Sequence, residues 1–439
     1  MLKVLSGVWA LLIGIVLIML GNGMHFTLIG LRGGIEGFSA AELAVVASGY
    51  FLGFLSGARW TPVLIQRVGH VRVFAALGSF MSAGLIAFPL ITEPWAWTIL
   101  RVLVGFSMSG IYVAAESWLN NATTNETRGK VLSAYMIAQT LGIIGAQGLL
   151  TLGDAATSAL FIGASILVSI SFAPILLSVT PAPAVTMARP MSLRGLFDGS
   201  PLGTVGIFLV GAVYAIQSGM AAVFGSQIAM SANEIAFFVA MLFAGALVLQ
   251  YPIGWLSDRL DRRQVILGTA LLGAAACGLG WLAGSGLPAL QDWGRWPLMA
   301  AAFLGGGMTT PLYALLLAYT NDALAVEDMP AASGGLVFTF GLGAILGPLV
   351  TGWAMESVGP NGFWLVVGLT FTALALYAAW RMTQRAATPV EETESYLGVL
   401  PTASAVTVEA AGAWSADQAD SDTGTPVSPS EGHDDRPCP

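Results

Sequence analysis

Twelve apolar stretches, each about as long as a membrane-crossing helix, set the limits on what this chain can be. They lie near residues 4–29, 40–65, 71–92, 95–119, 130–152, 157–179, 203–228, 234–256, 264–284, 296–320, 331–356 and 361–382, most of them ended by Gly, Pro or a charge cluster. An α-helix rises about 1.5 Å per residue, so roughly 20 residues cross a hydrocarbon layer ~30 Å thick. Lipid offers no partner for backbone N–H and C=O groups, so such stretches must be helical. The chain is 56% hydrophobic and only 10% charged, where a soluble domain carries about 25% charge. The first run is too long for a signal-peptide core and reads as a retained transmembrane helix. The expected fold class is an all-α membrane protein: twelve transmembrane helices in two six-helix pseudo-symmetric bundles.

The net charge of −8 comes from one end. From Ala386 onward there are ten acids and one base, Arg436, which leaves a nearly neutral body of fifteen acids and sixteen Lys and Arg. Basic residues in short loops set orientation. With the N-terminus inside, the inner segments hold Lys3, Arg67, Arg72, Arg128, Lys130, Arg189, Arg194, Arg259, Arg262, Arg263, Arg381 and Arg385, and the outer loops only Arg32 and Arg295. Both termini are therefore expected in the cytoplasm. The Pro-bearing stretch between the sixth and seventh runs divides the chain. The expected organisation is an N-terminal six-helix bundle over 1–179, a cytoplasmic linker over 180–202, a C-terminal six-helix bundle over 203–385 and a disordered acidic cytoplasmic tail over 386–439. The tail is rich in Ala, Ser, Thr, Pro and acids and is too polar to build a core.

The halves resemble each other. A shift of 201 residues lays Tyr112 on Tyr313, Asn120 on Asn321 and Gly142 on Gly343; a shift of 192 lays Gly53 on Gly245 and Arg67 on Arg259. Parallel six-helix repeats are a recurrent transporter design. Polar residues inside the apolar runs are the candidates for function, because each is costly in lipid. His25 is the only histidine within a run, with Asn22 almost one turn earlier. It could carry protons or bind substrate, or be a packed residue with its hydrogen bonds satisfied. Arg101 stands about two turns from the outer end of the fourth run and forms a stripe with Gly105, Ser109, Tyr112 and Glu116. A buried cation should face protein or a water-filled cavity. Glu116 ends that run, and Arg128 begins the next.

Two cysteines, Cys277 and Cys438, have no neighbours at metal-ligand spacing, so neither a metal site nor a cofactor is expected. HExxH, GxSxG and P-loop motifs are missing from the sequence, no catalytic residue is assigned, and the chain is not expected to be an enzyme.

"GWLSDRLDRR", Gly254 to Arg263, resembles the loop signature of the major facilitator superfamily, Gly-x-x-x-Asp-Arg-x-Gly-Arg-Arg. A first-half copy, "PVLIQRVGHVR", keeps Arg67, Gly69 and Arg72 but has Gln66 in place of the acid. "YVAAESWLN", "RGKVLSAYM", "QYPIGWLSDRLDRR" and "GAILGPLV" are similar to the YcaD-like bacterial branch, and the likeness covers most of 1–382 in patches. The resemblance implies a cytoplasmic gate built from Arg67, Glu116, Arg128, Asp258, Arg259 and Arg262, with Glu116 and Arg128 paired as a latch. The alternatives are basic residues that only set topology and a Glu116 that snorkels to the interface. Helices 1, 4, 7 and 10 line the cavity in that superfamily. The substrate or proton pathway candidates are therefore Asn22, His25, Arg101, Tyr112, Tyr214, Gln217 and Tyr313; each could instead serve helix-to-helix hydrogen bonding.

The resemblance implies a secondary transporter in a bacterial-type inner (plasma) membrane, moving a small solute by alternating access with proton coupling. The expected partners are the lipid bilayer, a small-molecule substrate and protons, with no nucleic acid, and the expected state is a monomer. Two other readings stay open: a transport-fold sensor that binds without cycling, and a membrane-embedded lipid-handling protein.

Overall fold

The computed structural model describes residues 2–176, 191–324, 328–384, 389, 393 and 395–422. Arg189, Arg385, the stretch 180–190 of the linker and the stretch 423–439 of the tail lie outside the described residues.

The first half runs α1 (Leu2–Ile35), α2 (Ala40–Val68), α3 (His70–Ala87), α4 (Pro94–Asn121), α5 (Asn125–Leu150) and α6 (Ala159–Leu176). A short α7 (Leu193–Gly199) precedes the second half. That half comprises α8 (Pro201–Gln227), α9 (Ala232–Ser257), α10 (Arg262–Gly284), the one-turn α11 (Pro288–Gln291), α12 (Trp296–Asn321), α13 (Met329–Val358) and α14 (Gly362–Met382). Eleven of these helices are long and apolar enough to cross a membrane among the described residues, against the twelve expected. The remaining one, α6, is a shorter apolar helix over Ala159–Pro174. Large apolar side chains stand exposed around the outside, among them Leu52, Ile99, Leu272, Trp353 and Leu369. In water such a surface would drive association; facing lipid tails it costs nothing.

Local sequence sets the helix ends. Ser39 caps α2 and Ser231 caps α9, each in a reciprocal capping box with the residue three positions on, Glu42 or Glu234. Each box satisfies two of the orphan N–H groups at a helix start. The same 192-residue shift that relates Gly53 to Gly245 relates these caps. Between α2 and α3 the chain turns on Gly69 at φ 89°, a left-handed conformation that side chains disfavour.

The two halves pair their helices alike. α1 packs on α5 and α6 as α8 packs on α13 and α14; α2 packs on α4 as α9 packs on α12; α3 packs on α4 and α6 as α10 packs on α12 and α14. Backbone-to-backbone contact carries these pairings. A Cβ on Gly53 would fall onto the Val102 carbonyl, and one on Gly245 onto the Phe303 carbonyl. Gly343 stands against Phe208 O of α8, and its repeat mate Gly142 against Met19 of α1. Small residues at such points let helices approach closely in lipid.

The tail departs from the expectation of disorder. Residues 405–422 form a helix, α15 (Ala405–Asp422), and Val399, Leu400, Ala403, Val408, Ala410 and Ala411 are buried. α15 packs on α4 and α5 of the first half and on α13 of the second. Averaged composition across 386–439 hid a locally apolar stretch, "YLGVLPTASAV", which has enough apolar surface to bury.

Candidate functional site

The interface between the halves holds a small cavity lined from both sides. α1 supplies Asn22, Phe26 and Thr27; α2 supplies Tyr50 and Phe51; α4 and α5 supply Tyr112 and Gln147. Across the interface, α8 supplies Tyr214 and Ser218, and α9 supplies Val239 and Phe243. The wall is rich in aromatic side chains, with neutral hydrogen-bonding groups set into it. Thr27 Oγ1 donates to Gln147 Oε1 at 2.9 Å, and Gln147 Nε2 reaches the Gly23 carbonyl at 3.4 Å. Asn22 Nδ2 lies 3.5 Å from the Tyr50 hydroxyl, while Asn22 Oδ1 has no partner among the described residues. Next to this space, Thr309 Oγ1 donates to Gln217 Oε1 at 2.9 Å in a smaller pocket also lined by Tyr214 and Ser218.

Arg101 and His25 form a separate unit behind the aromatic wall, and neither lines the cavity. Arg101 is 1% exposed, so its charge must be met by protein. The guanidinium carbon stands 4.1 Å from the Phe26 ring centre and 4.7 Å from that of Tyr50. Ring faces attract cations, most strongly where water is excluded. Nη1 lies 3.3 Å from His25 Nδ1. Since the guanidinium has only donors, that nitrogen accepts and the imidazole proton sits on Nε2. His25 is itself fully buried, edge-on to Phe88 at 4.5 Å.

At the end of the bundle where α4 finishes and α5 begins, Glu116 is buried and does not meet Arg128. Its Oε1 accepts from the Tyr135 hydroxyl at 3.1 Å, and its Oε2 from the Ser404 backbone N–H at 2.8 Å. Arg128 is partly buried with its Nε unpartnered among the described residues. In this structure the Glu116 carboxylate is bound to Tyr135 and the C-terminal segment, not to Arg128. A buried carboxylate needs donors more than a distant counter-charge, and Tyr135 and Ser404 supply them at hydrogen-bond length.

The loop signature is divided in the same way. Asp258 Oδ1 accepts from the Tyr396 N–H at 2.8 Å. Arg259 is exposed, stacks over Trp255 at 4.2 Å and donates to the Trp255 carbonyl at 3.1 Å. Arg262 is buried and forms an ion pair with Asp322, with its Nε donating to Ser257 Oγ at 3.2 Å. Arg67 is exposed at the matching place in the first half. Burial first, and then the Asp258 carboxylate, push the Tyr396 phenol well above its usual range, so it stays protonated. Gln250 Nε2 donates to that phenol oxygen at 2.7 Å.

The structure thus brings Asn22, Tyr112 and Tyr214 to one cavity and Gln217 beside it. Tyr313 is buried against Phe340, its hydroxyl without a partner among the described residues. Reading only the first, fourth, seventh and tenth apolar runs (α1, α4, α8 and α12) missed Tyr50, Phe51 and Gln147, which lie on α2 and α5. A polar residue within an apolar run was the signal for Gln147. Thr402 was missed as well; it lines the cavity beside Tyr112 and Tyr214.

A family model described as Major Facilitator Superfamily matches residues 203–416, and one described as Sugar (and other) transporter matches residues 6–185. The uncharacterized MFS-type transporter YfkF of Bacillus subtilis (strain 168) is 25% identical over 81% of this chain and 90% of its own length. The uncharacterized MFS-type transporter YcaD of Escherichia fergusonii is 24% identical over 82% of this chain and 92% of its own. Among solved structures, the nucleoside transporter NupG (D323A mutant) superposes with a TM-score of 0.70 at 15% identity, covering 85% of this chain and 98% of that one. A bacterial homologue of the human lysosomal transporter Spinster, inward-facing and unoccupied, gives 0.62 at 16% identity over 97% and 98% of the two chains. At such identities the superpositions speak for the fold alone. With one transporter family model on each half and like-named relatives aligned along four-fifths of its length, this chain is a multi-pass membrane protein of the major facilitator superfamily transporter type.

Proposed function

We propose that the chain is a secondary transporter of twelve spans, in two six-helix bundles that rock about the central cavity and expose it to each side of an inner membrane in turn. The observation that carries this reading is the cavity itself, whose polar groups come from both halves: Asn22, Thr27 and Gln147 from one, Tyr214 and Ser218 from the other. A solute held there gains contacts that depend on how the halves sit, which is what couples binding to rocking. The end carrying the basic loops is cytoplasmic in this proposal, and the opposite mouth is the closed one. There α1 meets α8 and α2 meets α13. Ser48 Oγ donates to the Ile345 carbonyl at 2.8 Å, and the Ala41 N–H to Glu356 Oε1 at 3.0 Å.

Six aromatic side chains and uncharged hydrogen-bonding groups line the cavity. They favour an uncharged, partly aromatic solute over a strongly ionic one. Nucleosides belong in the first set to be tried, because the superposed NupG is named for them. Energy comes from the solute gradient or a coupled proton. The test is a solute-library screen on purified protein by thermal shift at two pH values, followed by counterflow in liposomes. Counterflow supports transport. Binding without counterflow favours the non-cycling sensor, and an acidic-side preference supports proton coupling.

A further inference from the structure

The bundle end that holds Glu116 has an unusual stopper. Residues 395–415 enter between the halves and touch both. From the first half, Glu116 accepts the Ser404 N–H, and Gly129 at the head of α5 lies under the Trp414 ring. From the second, Asp258 accepts the Tyr396 N–H, Gln250 donates to the Tyr396 hydroxyl, Gly254 lies under the Tyr396 ring, and Asn321 and Met329 face Gly412. Thr402 forms part of the cavity wall. Leu400 lines a second pocket between α5 and α9.

Three features separate this from a tail lying on a surface. The segment's own apolar side chains are buried, with Val399, Leu400 and Ala403 at 3%, 8% and 3% exposure. Its polar contacts go to residues on facing helix ends and match them in chemistry: two carboxylates, Glu116 and Asp258, accept two backbone N–H groups. The glycines of the receiving surface fit it, since a Cβ on Gly129 would strike Trp414 and one on Gly254 would strike Tyr396. A carboxylate that accepts a backbone N–H makes one of the stronger hydrogen bonds available.

We propose that residues 395–415 are a built-in plug that closes this mouth of the solute cavity, with Glu116 and Asp258 as its two docking acceptors, and that the segment must leave before the cavity opens to this side. The plug is autoinhibitory: it bridges the halves and holds them in one arrangement, so release is required for rocking as well as for access. The proposal rests on reading the cavity as the solute site, but its test requires no transport.

The probe is a thiol in the cavity wall. Ile143→Cys, in the full chain with Cys277→Ala and Cys438→Ser, is reacted with N-ethylmaleimide in detergent. Labelling then reports how often the mouth opens. Ser404→Pro removes the N–H given to Glu116. Gly412→Trp places bulk against Asn321 and Met329. Each should speed labelling about tenfold or more, which for Ser404→Pro is the scale of losing one hydrogen bond to a buried carboxylate, while the protein stays monodisperse on size exclusion. If Ser404→Pro is poorly folded, Gly412→Trp decides alone. Labelling of a monodisperse variant at the parental rate would overturn the plug. A missing transport activity in every variant, with labelling accelerated, would count against the transporter reading and leave the plug standing.

Discussion

At the scale of single residues, charges inside this bundle are met by specific partners. Arg262 and Asp322 are paired at 2% and 5% side-chain exposure. Removing one member leaves the other charge buried. Arg262→Gln or Asp322→Asn should therefore lower stability by roughly 3–5 kcal/mol. The double change should cost less than the sum, because the second removes a group whose ion pair is already lost. Thermal unfolding of the four proteins in detergent would show this, and simple additivity would mean the pair is not a unit. Arg101 makes a different demand. His25 gives it a nitrogen acceptor at Nδ1. Asn carries an acceptor at nearly the same distance from the backbone, so His25→Asn should keep the folded yield, and His25→Leu should lower it several-fold. Equal yields would mean the rings of Phe26 and Tyr50 hold the guanidinium unaided. His25 and Arg101 were legible in the sequence as expensive residues, but their mutual contact was not, because nothing in one sequence says that positions 76 apart share a pocket. Asp322 was hidden for the same reason: it follows α12 as an ordinary helix-end acid.

At the scale of elements, the repeat was the most readable feature. Gly53 and Gly245 matched in sequence, and both prove to be points where one backbone touches another. Gly53→Ala and Gly245→Ala should each destabilise by about 1–3 kcal/mol, as overpacking does in a close-packed core. Gly268→Ala is the control, because a Cβ there meets open space; the measurement is again thermal unfolding. If all three behave alike, the close approach is not what holds α2 on α4 and α9 on α12. The apolar runs located the helices because lipid leaves so few options for backbone. Glu116 shows where this legibility stops. Its place at the end of α4 was plain, yet its partner was expected at Arg128, nearby in sequence. The actual partners, Tyr135 and Ser404, lie 19 and 288 residues away. The docking segment itself was lost in an average over a tail whose other residues are polar. Its burial depends on a receiving groove that exists only after both halves have assembled.

At the scale of the whole molecule, the two ends differ, and the difference can be tested. One mouth is shut by helices of opposite halves in direct contact; the other is filled by the C-terminal segment. The rocking proposed above would part the first. Ala47 on α2 and Gly219 on α8 face each other across that seam, with a Cβ on Gly219 only 2.8 Å from the Ala47 Cβ. Disulfides favour Cβ atoms about 3.8 Å apart, so a small adjustment lets Ala47→Cys and Gly219→Cys bond. In a background without Cys277 and Cys438, oxidation should join the halves and abolish counterflow of any solute found by the library screen. A reductant should restore it, and each single cysteine should keep counterflow, with Gly219→Cys losing some stability because its Cβ crowds Ala47. Solute binding measured by thermal shift should survive the cross-link, because the cavity lies in place while this mouth is closed. Full counterflow with the bond formed would mean that α2 and α8 do not separate here, and alternating access by rocking of the halves would have to be abandoned.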